Sequence, residues 1–186
     1  VTIAQHSSAS SRWFTPPEIL DAARAVLGPI ELDPASEPAA NEVVQASRYL
    51  TVNDNGLIHP WGNPESIWLN PPGGKKCNES LPALFWYRLM TRYASRAFGH
   101  AIVMAFSMEQ LAITQGLHYE GYRSLAARSM LDFPFCVPRA RIRFVSPDGG
   151  KRSPTHANAI VYVPCRIDRT DCFVAAFEQF GKVVVP

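Results

Sequence analysis

The apolar run Ser66-Ile67-Trp68-Leu69 passes directly into Asn70-Pro71-Pro72-Gly73-Gly74. The run suits a buried strand, but two successive prolines remove donors that a sheet ladder needs, and two glycines release the backbone. The chain must therefore leave its sheet at Asn70, at a strand's carboxyl end. A second run, Ala101 to Phe106, is apolar throughout. This suits a strand covered on both faces, as in parallel sheets flanked by helices. These two segments point to an α/β fold.

The rest of the chain agrees with that class. Thr15-Pro16-Pro17-Glu18 offers a capping residue, prolines tolerated in a first helical turn, and an acid at the positive helix end. A helix is predicted over 16–27, stopped by Gly28-Pro29. Ile30 to Asp33 reads as a short strand ending at Pro34, residues 41–49 as a helix, and Asn53 to Gly56 as a turn. Helices are expected over 81–97 and 109–116. Arg139–Val145 and Ala157–Val163 flank Pro147-Asp148-Gly149-Gly150 and read as an antiparallel hairpin. A helix over 173–180 and a strand over 182–185 close the chain. Strands and helices alternate, which predicts a mostly parallel sheet with an antiparallel C-terminal hairpin.

At 186 residues, 47% of them apolar, the chain can bury one sizeable core. A single domain over 13–186 is expected, preceded by a Ser-rich flexible arm over 1–12. The formal charge of +2 is too mild to single out a nucleic-acid partner. The four cysteines form no C-x-x-C pair and lack metal-ligand spacing, so reduced thiols and no metal are expected. No stretch approaches the roughly 18 apolar residues of a membrane span, so no membrane partner and a cytoplasmic location are expected.

The chemistry concentrates at Asn70, Pro71 and Pro72, because ligands of open α/β sheets bind beyond strand carboxyl ends. An aromatic amine is a poor nucleophile while its lone pair is delocalised into the ring. Two acceptors on its N–H groups favour a more tetrahedral nitrogen. Asn70 can supply one through its side-chain oxygen. The Pro71 carbonyl can supply the other, held by the fixed φ of both prolines and by the restriction Pro72 places on Pro71. Such an arrangement is preorganised for electrostatic catalysis.

The tripeptide resembles the N-P-P-(Tyr/Phe/Trp) signature of amino-group methyltransferases. Trp13-x-Thr15-Pro16-Pro17-Glu18 resembles the T-P-P segment that precedes the cofactor site in several adenine methyltransferases. Glu31-Leu32-Asp33-Pro34-Ala35-Ser36, followed by Asn41, Ala46, Tyr49, Gly56-Leu57 and Trp61, is similar to the phage-type DNA adenine methyltransferase family often called Dam. So is Pro138-Arg139-x-Arg141 through Ser153-Pro154-Thr155-His156-Ala157. The resemblance covers roughly residues 13–163.

It implies a Rossmann-like methyltransferase fold and an S-adenosylmethionine-dependent enzyme acting on the N-6 amine of adenine in DNA. It also implies work in a bacterial host and a phage or prophage origin. Thr15, Pro16, Asp33, Pro34, Ala35 and Asn55 are the implied cofactor-binding residues. Asp33 could meet the ribose hydroxyls or the methionine ammonium. Its place suits either the first cofactor loop or the acid after the second strand. The chain departs from the pattern in three places. It has no F-x-G-x-G loop; Gly73 stands where an aromatic normally stacks on the target base, leaving Trp61 or Phe106 for that task; and Asn55, with Asp54 before it, stands where relatives often carry an acid.

Adenine in a duplex must be extruded to expose this amine, which requires compensating phosphate contacts. Arg139, Arg141 and Arg143 alternate along the predicted strand, placing all three on one face. Lys151-Arg152 lie in the adjoining turn and Lys75-Lys76 follow the catalytic loop, completing the expected phosphate contacts. Two other readings stay open: the same chemistry on RNA guanine or protein glutamine, or an inactive DNA-binding module on the same fold. With no separate target-recognition domain, modest sequence specificity is expected.

Overall fold

The computed structural model describes residues 14–115, 128–145, 151–152 and 156–186, with Lys151 and Arg152 described by their backbone alone. The expected N-terminal arm and the turn at 147–150 lie outside the described residues. In chain order the elements begin with α1 (Pro17–Leu27), β1 (Leu32–Asp33), α2 (Pro38–Val44), β2 (Arg48–Tyr49) and β3 (Ser66–Leu69). A short ribbon follows, β4 (Lys75–Lys76) with β5 (Glu79–Ser80), then α3 (Leu81–Ala94), β6 (His100–Ala105) and α4 (Glu109–Ile113). After a 3-10 turn at Met130–Asp132 come β7 (Phe135–Pro138), β8 (Phe144–Val145), β9 (Lys151–Arg152), β10 (Ala159–Pro164), α5 (Thr170–Phe177) and β11 (Gly181–Val184).

Among the described residues, seven strands form the main sheet in the order β11-β7-β10-β6-β3-β1-β2. Strands β2, β1, β3 and β6 pair in parallel, and β10 runs antiparallel between β6 and β7, so β7 shares the direction of β6. The expected Rossmann-like α/β architecture is therefore present, with five of seven strands pointing one way. From β1 the chain steps outward to β2 and then returns to the other side of β1 for β3. A topological switch point thus lies between the carboxyl ends of β1 and β3, where doubly wound sheets open a crevice.

Apolar side chains fill both faces. Trp68, Ile102 and Met104 join α1 and α5 residues in one cluster, whereas Ile67, Leu69, Ala101, Val103 and Ala105 join α3 residues in the other. This is the two-residue alternation of a pleated sheet. The complete burial of β3 and β6 explains why the sequence shows no polar alternation there.

The structure corrects several expectations. Residues 139–143 form no strand. The partner of β10 on that side is β7, which ends at Pro138, and the Arg139 N–H bonds the Phe180 carbonyl instead. Gly181 allows this close approach of β11 to β7, because a Cβ there would stand 2.0 Å from the Val137 carbonyl oxygen. The hairpin partner of Phe144–Val145 is Lys151–Arg152, in a separate two-stranded ribbon. The helix expected over 41–49 begins earlier and ends at Val44, after which Arg48–Tyr49 joins the sheet edge. Gln45 takes a left-handed φ of 57° and closes that helix.

Candidate active site at the carboxyl edge of the sheet

The β3 strand delivers Asn70 to the switch point. Leu69 faces the α3 side, so Asn70 faces the α1 side, as Trp68 does. There its amide nitrogen donates to the Thr15 hydroxyl at 3.2 Å. Thr15 is 4% exposed and is held from the preceding residue, since Phe14 exchanges two backbone hydrogen bonds with Val145. Pro16, also buried, is the residue that opens α1, and among the described residues no side chain caps the helix. The Thr15 hydroxyl thus serves Asn70 and not the helix. No described residue donates to Asn70 Oδ1, which remains as the open acceptor of the amide. Pro71 is buried and Pro72 exposed.

One strand over, Asp33 ends β1 and is 2% exposed. Because β1 lies directly beside β3, Asp33 occupies the first loop of the sheet, and the acid position after the second strand falls beyond Tyr49. Burial pushes the Asp33 carboxyl up from 3.8 to about 7, opposed by the Ala35 N–H and the nearby Ser36 hydroxyl. The Ala35 N–H donates to Asp33 Oδ1 at 3.1 Å. The Ser36 hydroxyl is close enough to favour the carboxylate, yet it is buried and makes no well-formed hydrogen bond. A buried hydroxyl without a well-formed partner therefore stands beside a desolvated carboxyl at the switch point, a combination that a polar or cationic ligand would relieve.

The loop after β2 closes over this corner. Leu50 N–H bonds the Asp33 carbonyl, Ser36 N–H bonds the Leu50 carbonyl, and Trp61 Nε1 donates to the Gly56 carbonyl. A Cβ on Gly56 would stand 1.9 Å from the Pro34 carbonyl oxygen, so only glycine permits the loop to press on Pro34. Asn55, just before it, adopts a left-handed φ of 56° and stays half-buried. Asp54 is exposed and caps its own turn, accepting from the Thr51 N–H and hydroxyl, so it is committed to local structure. Trp61 is fully buried with the Arg88 guanidinium over its ring, which removes it as a stacking surface.

The expected cations are distributed around the same edge. Lys75 and Lys76 are exposed on the β4–β5 ribbon, which turns through Cys77 and Asn78 at φ 50° and 65°. Arg139, Arg141 and Arg143 are all exposed but follow β7 as irregular backbone, so the single strand face expected for them is absent. Arg139 donates to the Glu178 carbonyl, whereas Arg141 and Arg143 bracket buried Ile142 and precede Phe144. For Lys151 and Arg152 the backbone pairing with Val145 and Phe144 places the ribbon beside Phe14 and Thr15. Sequence reading missed Asn158, buried at 2%, whose amide donates to the Phe106 carbonyl at 2.7 Å and accepts from the Ile142 N–H. A lone amide at the start of an otherwise apolar run was the available signal.

Among the described residues no group of three or more His, Cys, Asp or Glu side chains converges as a metal site needs, and no helix is long and apolar enough to cross a membrane.

No curated protein sequence matches the chain. A solved structure described as a putative class I S-adenosylmethionine-dependent methyltransferase from Listeria monocytogenes superposes with a TM-score of 0.48 at 10% identity, covering 88% of this chain and 64% of that one. This chain thus spans less than two thirds of that structure's length. The sequence profile described as DNA N-6-adenine-methyltransferase (Dam) matches residues 4–166. Matched over most of its length, this chain belongs to the DNA N-6-adenine-methyltransferase (Dam) family.

Proposed function

We propose that the chain transfers the methyl group of S-adenosylmethionine to the exocyclic N-6 amine of adenine in DNA. The observation that carries this reading is the fixed orientation of Asn70. Its amide nitrogen is engaged by Thr15, which leaves Oδ1 as an acceptor at the switch point beside a buried carboxyl. An adenine amine placed there gives one hydrogen to Asn70 Oδ1 and the other to the Pro71 carbonyl. Its nitrogen lone pair is then localised for in-line attack, and the proton released afterwards leaves to water.

When bound, S-adenosylmethionine would supply an electrophilic methyl group on a sulfonium, whose carbon–sulfur bond breaks as the nitrogen takes the methyl, and the neutral thioether product leaves. Asp33, Ser36, Pro34, Ala35 and the turn at Asn55-Gly56 would hold it, with Asp33 toward its ammonium or ribose hydroxyls. The unpartnered Ser36 hydroxyl and the desolvated Asp33 carboxyl fit such a ligand, and a positive charge near Asp33 would draw its carboxyl into the ionised form. Thr15 orients Asn70 through its hydroxyl, and Thr15 and Pro16 would also line the cofactor site, as the family resemblance implies. Arg141, Arg143, Lys75 and Lys76 would contact DNA phosphates around an extruded base, with Arg139, Lys151 and Arg152 extending that contact. A cytoplasmic, phage- or prophage-encoded enzyme working on host DNA is part of the same proposal and rests on the family alone.

Incubation with radiolabelled S-adenosylmethionine and unmodified DNA, followed by nucleoside analysis, tests the reading. Label is expected on N-6 of adenine and is expected to vanish in Asn70→Ala. Label on protein, RNA guanine or cytosine overturns the acceptor. No thermal stabilisation by saturating S-adenosylmethionine would favour a DNA-binding module without catalysis.

A further inference from the structure

The aromatic that would follow Asn-Pro-Pro is absent, since position 73 is glycine, and a Cβ there meets nothing within 4 Å. An extruded base held by Asn70 and Pro71 alone would gain hydrogen bonds but no stacking partner on that side. The neighbouring strand offers one. In the β3–β6 register Leu69 faces Val103, so Phe106 lies just past the level of Asn70 on the adjacent strand. By strand alternation it shares the α1-side face with Ile102 and Met104, the face that also carries Asn70.

Phe106 is also held firmly. Its N–H donates to Gln110 Oε1 at 3.2 Å, and its carbonyl accepts from Asn158 Nδ2 at 2.7 Å. Its ring stands 6.1 Å from that of Phe144, itself 1% exposed, and 6.2 Å from that of exposed His156. Phe106 is only half-buried, so part of its surface remains open at the sheet edge. A rigid aromatic backed by a buried aromatic loses little conformational freedom when a flat ligand settles on it.

We infer that Phe106, supported from behind by Phe144 and flanked by His156, is the stacking wall for the extruded adenine, replacing the aromatic absent at Gly73. This rests on the proposed acceptor and adds to it the residue that receives the ring. Such a wall explains how the chain keeps Asn-Pro-Pro without its usual fourth member.

The test compares Phe106→Leu, Phe106→Ala, Phe106→Tyr and Phe106→Trp. Leucine keeps apolar volume but has no π-face. Phe106→Leu and Phe106→Ala are expected to lose roughly five- to a hundredfold in kcat/KM for DNA. Thermal stabilisation by S-adenosylmethionine should stay unchanged, and tyrosine or tryptophan should restore activity. Wild-type kinetics in Phe106→Leu would overturn the assignment, because a purely packing role is satisfied by leucine. A second readout needs no turnover: in Phe106→Trp, unmethylated duplex DNA should quench emission beyond the change seen in wild type. Absence of that extra quenching also overturns it. Label on a base other than adenine, with Phe106→Trp still quenched, would instead overturn the acceptor and leave the stacking wall standing.

Discussion

Replacing Asp33 by asparagine should stabilise the ligand-free protein at neutral pH while weakening S-adenosylmethionine binding at the proposed site. The carboxyl is fully buried and raised from 3.8 to about 7. Between these values the folded state keeps a proton that the unfolded chain has released, so the native state binds more protons. Stability therefore falls as pH rises from about 4 to about 7 and levels off above. At 1.36 kcal/mol per pH unit the cost at pH 8 is about 4 kcal/mol. Asparagine carries no charge to desolvate. Its oxygen can still accept from the Ala35 N–H, as Asp33 does at 3.1 Å, and its NH2 can meet the Ser36 hydroxyl. Urea titrations of wild type and Asp33→Asn should give similar midpoints near pH 4. At pH 8 they should separate by up to about 2 M in favour of the variant, taking a slope of about 2 kcal/mol/M. Thermal stabilisation by S-adenosylmethionine should be lost in the variant, so a more stable protein would bind its ligand less well. A midpoint difference that does not change between pH 4 and pH 8 would refute the argument.

Three further outcomes are expected. Thr15→Val removes the acceptor that orients Asn70, and loss of one net hydrogen bond should lower kcat roughly two- to tenfold. Unchanged S-adenosylmethionine affinity by calorimetry would assign Thr15 to orientation, whereas weakened affinity would place it in the cofactor site. Gly73→Tyr should fold normally, since Gly73 is not among the residues with positive φ and its Cβ direction is open, and a second stacking surface should lower KM for DNA severalfold. Arg143→Ala should weaken DNA binding uniformly across sequences and reduce the slope of log affinity against log salt by about 1, as measured by fluorescence anisotropy.

Sequence alone determined the features that depend on a few adjacent residues. Pro71 and Pro72 must end a strand because they lack donors, whatever surrounds them, and the helix over 17–27 begins and ends where its prolines and Gly28 require. The buried character of β3 and β6 was legible because complete burial leaves no polar alternation.

What lay beyond reach depends on which distant segments meet. Thr15 and Asn70 are 55 residues apart, and only chain packing joins them. Arg139 to Arg143 carry a strand-like alternation, yet Phe135–Pro138 takes the place beside β10, because pairing is decided by competition among segments and not by one segment's pattern. The same holds for charge. Nothing local distinguishes Asp33 from any acid at a strand end, and its raised pKa arises because β2, the Gly56 loop and Pro34 close around it and exclude water. Proline and glycine act through their own bonds, so sequence reveals them; burial, register and shared faces are properties of the assembled sheet, and tertiary structure alone decides them.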